Sequence, residues 1–133
     1  MKNASFASLF ILVVGNISHL FGPWWAVVVV AAVAILLFPM GPARALAVGT
    51  AAGSMLWWFN ALWMNSSNTG MLAGKIGQVF QGVQALQLLA VTALLGGLLS
   101  GLGALIGAYG RTLLAPRDAR RRRRARPLVP IRR

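Results

Sequence analysis

Apolar positions in this chain run in long blocks, without the regular polar punctuation of a helix or strand that shows one face to water. A helix needs about 20 such residues to cross the hydrocarbon core of a bilayer. Four segments approach or meet that length, at about 4–20, 24–38, 44–64 and 85–110. Between the first two, Phe21-Gly22-Pro23 reads as a tight hairpin turn, because glycine relaxes the backbone and proline suits the first turn of a following helix. The run Phe38-Pro39-Met40-Gly41-Pro42 ends the second block, and Arg44 opens the third. The pattern predicts an all-α integral membrane helical bundle with four transmembrane helices, or three if the first segment does not span. Lys2 followed by the apolar stretch Phe6 to Gly15 also has the proportions of a signal peptide, although no A-x-A-like site follows promptly.

The third and fourth blocks are separated by a more polar stretch. Asn65 to Gly70 is turn-forming, and over 71–83 Leu72, Ile76, Val79, Phe80 and Val83 recur at three-to-four-residue spacing opposite Lys75, Gln78 and Gln81. An interfacial amphipathic helix over 71–83, lying along the membrane surface, fits that spacing. Extension of the last span into water is the other reading.

Charge fixes the expected orientation. The net charge is +12, but ten of the thirteen Lys and Arg residues lie at or after Arg111, so the excess belongs to a C-terminal segment and the body is nearly neutral. Basic segments near a span stay cytoplasmic. Residues 1–110 therefore form the expected transmembrane domain and 111–133 an arginine-rich cytoplasmic tail, with both termini inside. The tryptophans agree: Trp24, Trp25, Trp57, Trp58 and Trp63 all fall toward the external side, where an apolar ring with a polar N–H is favoured. The tail lacks a hydrophobic period and is expected to be largely disordered. Its residues Arg111, Arg117, Arg120, Arg121, Arg122, Arg123, Arg124 and Arg126 are candidates for contact with anionic lipid headgroups, at about 1 kcal/mol each. The same charges suit nucleic acid, but the tail has no aromatic residue for base stacking, which argues against that partner.

Two constellations inside the spans are candidates for function. Small residues recur along the last span as Gly96, Ser100, Ala104 and Ala108, with Gly97 and Gly101, and Gly103 and Gly107, beside them; Gly49 and Gly53 form a lesser version in the third span. Such stripes let helix backbones approach closely, either within one chain or between copies. The second constellation is polar. Asn16, His19, Asn60, Gln84 and Gln87 all fall in the external half of the expected topology and form a possible polar cluster, readable as a ligand or ion site or as ordinary interhelical hydrogen bonding.

The residue inventory narrows the chemistry. There is no cysteine and a single histidine, and the one acidic residue, Asp118, sits in the arginine tail. A nucleophile–base pair, a pair of carboxylates and a set of metal ligands all need more than this, so neither an enzyme nor a cofactor or metal site is expected. An embedded acid of the kind that couples transport to protons is also missing, while a channel built from backbone groups and pore shape stays open.

Four stretches, Gly22-Pro23-Trp24-Trp25, Leu56-Trp57-Trp58-Phe59-Asn60-Ala61-Leu62, Leu72-Ala73-Gly74-Lys75-Ile76-Gly77 and Thr92 to Gly107, resemble small, functionally uncharacterised multispanning inner-membrane proteins of Bacteroidota-type bacteria. The resemblance covers about two thirds of the chain and excludes the arginine tail. It implies a bacterial inner-membrane location and no activity. The expected role is an accessory or structural subunit acting through helix packing, within a larger assembly or as a homo-oligomer, with a homo-oligomeric channel or facilitator built on the polar cluster as the alternative.

Overall fold

The structure, a computed structural model, describes residues 2–114. They form five helices: α1 (Lys2–Phe21), α2 (Ala26–Leu37), α3 (Pro42–Ser67), α4 (Met71–Val79) and α5 (Ala85–Leu114). Among the described residues there is no strand. Three of the helices, α1, α3 and α5, are long and apolar enough to cross a membrane. At 1.5 Å per residue they measure about 30, 39 and 45 Å.

α2 is the exception, with 12 residues and a length of about 18 Å, short of the ~30 Å hydrocarbon core. The expected span at 24–38 is thus trimmed at both ends. Trp24 lies in a turn and Trp25 is the helix N-cap, so the two tryptophans precede α2 instead of starting it. At the other end Phe38 leaves helical geometry at φ −111°, ψ 84°, as a residue before proline must.

Pro42 also corrects the expectation that it belongs to the break. It occupies the first turn of α3, where its missing N–H costs nothing, and the extended Gly41 precedes it. The amphipathic segment is helical only to Val79; Gln81 and Gly82 then take positive φ values of 60° and 92°, and the amides of Gly82 and Val83 return to the Gly77 carbonyl. α5 in turn runs past the expected boundary, so Arg111 to Leu114 are helical and do not belong to a disordered tail. Arg117, Arg120, Arg121, Arg122, Arg123, Arg124 and Arg126, with the rest of the expected tail, lie outside the described residues.

The side chains that meet across helices give the direction of each. Asn3 of α1 donates to the Pro39 carbonyl beyond the end of α2, and Phe6 stacks on Phe38 while Phe10 meets it edge to face, so α1 and α2 are antiparallel. Gly49, Gly53 and Trp57 of α3 face Ala104, Ser100 and Gly96 of α5 in falling order, which makes that pair antiparallel as well. α2 and α5 run parallel, because Val28 faces Gly103 and Ala32 faces Gly107. Direction therefore alternates along α1, α2, α3 and α5, and Lys2, Arg44 and Arg111 gather toward one end of the bundle. α4 connects α3 and α5 at the other end.

The core follows from the small side chains. Ala7, Ile11, Ala31, Ala34, Ile35, Ala45, Ala52 and Ala104 are buried together, whereas Phe6, Leu9, Val13, Leu94, Leu98, Leu102 and Ile106 are exposed. Small residues inside and large apolar ones outside is the reverse of a water-soluble fold, and it suits a solvent of lipid, where close packing and not hydrophobicity holds helices together.

Candidate functional site, a helix-packing seam and its polar rim

The small-residue stripe is the best-defined feature of the bundle. Every third or fourth residue of α5 from Gly96 to Ala108 is buried. A methyl placed on Gly53 would lie 2.6 Å from the Gly96 carbonyl oxygen, and one on Gly49 would lie 2.9 Å from the Ser100 carbonyl oxygen; on the opposing helix, Gly97 stands equally close to the Thr50 carbonyl at 3.0 Å. The glycine Cα atoms of each helix thus rest against carbonyls of the other. Contacts of the Cα–H···O kind recur at such crossings and contribute about 0.5–1 kcal/mol each.

The stripe has two sides. Gly96, Gly97, Ser100, Gly101 and Ala104 meet α3, while Gly103 and Gly107 receive α2, with the Val28 and Ala32 carbonyls 2.3 and 2.4 Å from an added methyl. Ala108 is buried in the core cluster that includes residues of α1, α2 and α3. All ten residues singled out for packing, Gly49 and Gly53 among them, are buried within one chain. One of them carries a polar atom. Ser100 is fully buried against Gly53, and its Oγ has no hydrogen-bond partner among the described residues.

The polar residues of the external half are not gathered into one network. Asn60 donates to the Leu56 carbonyl of its own helix at 2.8 Å. Gln87 turns back to accept the Gln84 amide at 3.0 Å, as a cap on the first turn of α5. Asn16 is exposed and joins neither. His19 alone makes a contact across helices: its ring meets Trp57 edge to face, with centroids 5.5 Å apart. Among the described residues, no hydrogen bond links any two of Asn16, His19 and Asn60, and no group of three metal-ligating side chains occurs.

Two features escaped the sequence. The His19–Trp57 pair needs α1 and α3 to run side by side in the same direction, which no local pattern encodes. The division of α5 into a side for α3 and a side for α2 is partly visible, since Gly103 and Gly107 sit off the Gly96–Ser100–Ala104 line, but spacing on one helix does not say that the short α2 fills the second side. No family model matches this chain, and no curated protein or solved structure matches it either.

Proposed function

We propose that the chain is a small integral membrane protein that acts by helix packing, as an accessory or structural subunit of a membrane assembly. The observation that carries this reading is the division of labour among its surfaces. The small-residue stripe is consumed inside the chain. What remains outward is large and apolar, and it includes an open groove of about 490 Å³ lined by Ala51, Ser54, Met55, Trp58 and Phe59 of α3 and Ala93 of α5. A ridge of side chains from another membrane helix would fit that shape.

The reading carries a topology. α1, α3 and α5 span, α2 with its flanking Gly22–Trp25 and Phe38 completes a fourth passage, and α4 lies at the external interface. Both termini are cytoplasmic, since Lys2, Arg44 and Arg111 share an end and the tail adds nine more arginines after Arg111. A bacterial inner membrane is the compartment that the resemblance suggests, and anionic headgroups are the partners of the arginine tail. Catalysis is not part of the proposal, given the single histidine, the single aspartate and the missing cysteines.

A homo-oligomeric channel on the polar cluster has less support, because the Asn60 and Gln87 side chains are turned to backbone groups of their own segments. Purification of the tagged protein from native membranes in mild detergent, with mass determination of the complex, separates the two. Stoichiometric foreign partners support the subunit reading. A clean homo-oligomer would replace it with the channel.

A further inference from the structure

The four basic groups Lys2, Arg44, Lys75 and Arg111 have no carboxylate partner among the described residues, because residues 2–114 contain no Asp or Glu. Three of them lie toward one end of the bundle. Lys75 is alone at the other, on α4, and it lines an open cavity of about 420 Å³ together with Ser67, Asn68, Thr69, Met71 and Leu72. The hydroxyl protons around it are already used: Ser67 donates to the Trp63 carbonyl at 2.9 Å and Thr69 to the Asn68 carbonyl at 2.7 Å. The side-chain donors left among the lining residues are the Lys75 ammonium and the Asn68 carboxamide, a pair suited to an anionic oxygen group.

Beside this polar half lies an apolar one. Met71 and Leu72 are exposed, and at helical spacing Leu72, Ile76 and Val79 fall on one outward side of α4, with Val79 80% exposed. Trp63, 76% exposed, stands one turn before Ser67 on α3. A free phosphate would use only the polar half of this surface, whereas an amphiphile uses both.

We infer that the cavity holds the phosphodiester of an anionic phospholipid, with Lys75 and Asn68 on its oxygens and its acyl chains along Leu72, Ile76 and Val79. A net negative headgroup supplies the charge that no carboxylate of the described chain provides, whereas a zwitterionic lipid brings a competing cation. The inference rests on the membrane reading above and adds to it a specific lipid contact on the face opposite the arginine tail.

The test uses the full chain in vesicles containing phosphatidylglycerol with a photoreactive group near the headgroup, and maps the cross-linked peptides. Labelling is expected between residues 63 and 80, to fall about five-fold in Lys75→Gln, the equivalent of about 1 kcal/mol for one basic residue at an anionic surface. It should persist in Lys75→Arg, be weaker from a phosphatidylcholine probe, and resist added inorganic phosphate. Equal labelling of wild type and Lys75→Gln, or displacement by inorganic phosphate, would overturn the assignment. A second probe with its reactive group at the acyl terminus should label Leu94 to Leu102 in every variant; if it does not, the membrane reading falls and this site with it.

Discussion

His19 and Trp57 meet edge to face across α1 and α3, with ring planes at 68°, and on α5 the same indole covers Gly96, where an added methyl would lie 2.1 Å from Trp57 Cγ. One aromatic ring therefore joins three helices. Trp57→Ala should release α1 from the α3–α5 pair. Loss of a fully buried tryptophan costs about 3–5 kcal/mol, and since Trp57 is only partly covered a loss of about 2–3 kcal/mol is expected. Trp57→Phe keeps one aromatic ring at the junction and removes the rest of the indole with its N–H, which has no hydrogen-bond partner among the described residues, so it should cost less than Trp57→Ala, about 1 kcal/mol. Thermal unfolding in one detergent, followed by circular dichroism, distinguishes the two substitutions; equal melting temperatures would remove the keying role from the ring.

The two sides of α5 should fail separately. Gly53→Leu forces a branched side chain into the Gly96 carbonyl and the short Ser100 side chain, and neither the backbone oxygen nor a Cβ fixed to its helix can swing aside. Overpacking typically costs about 1–3 kcal/mol, and a helix pair held by close backbone approach stands at the upper end or beyond. Gly103→Leu strikes the Val28 carbonyl instead, and should loosen α2 while α3 and α5 stay paired. Engineered cysteine pairs across α3–α5 and α2–α5 report each contact. If Gly103→Leu abolished both cross-links, the two sides would not be independent.

How much of this was legible in the chain depends on the range of the interaction. Pro39, Gly41 and the long apolar runs act locally, so the number and order of helices followed from them. Pro42 is ambiguous in sequence because proline both ends helices and begins them, and only the extended Gly41 decides which it does here. The small residues of α5 could be recognised as a packing surface from spacing alone. What they pack against could not, because the spacing describes one helix and the partner depends on the directions of the other three. The local bonds of the polar residues are not legible from the same spacing: Asn60 and Gln87 have backbone partners within four residues, and a near bond requires less ordering than one across the bundle.

Ser100 offers a test of the opposite sign. Its hydroxyl is fully buried at the α3–α5 crossing without a hydrogen-bond partner among the described residues, a condition that costs about 1–3 kcal/mol where it persists. Ser100→Ala keeps the small Cβ that fits Gly53 and discards the oxygen, so stability should be unchanged or raised by up to about 1 kcal/mol. Ser100→Val adds branching at the same contact and should destabilise by about 1–3 kcal/mol. Both are read from melting temperature in detergent. A clear loss in Ser100→Ala would mean that the hydroxyl has a partner in the folded protein, and that the crossing is polar.

Orientation can be checked without first removing native reactive groups, since the chain has no cysteine. The shared end of Lys2, Arg44 and Arg111 predicts that Leu114→Cys reacts with a membrane-impermeant maleimide only after cells are permeabilised, and that Asn68→Cys, in the α3–α4 turn, reacts from outside. Pro23→Cys reports on the short helix. Reaction from outside is expected if the α1–α2 turn reaches the external face, so that the flanking residues Gly22 to Trp25 make up the length that α2 lacks. Protection of Pro23→Cys under all conditions, with Asn68→Cys still open to the outside, would instead place that turn within the bilayer, make α1 and α2 a re-entrant hairpin, and leave α3 and α5 as the two complete crossings.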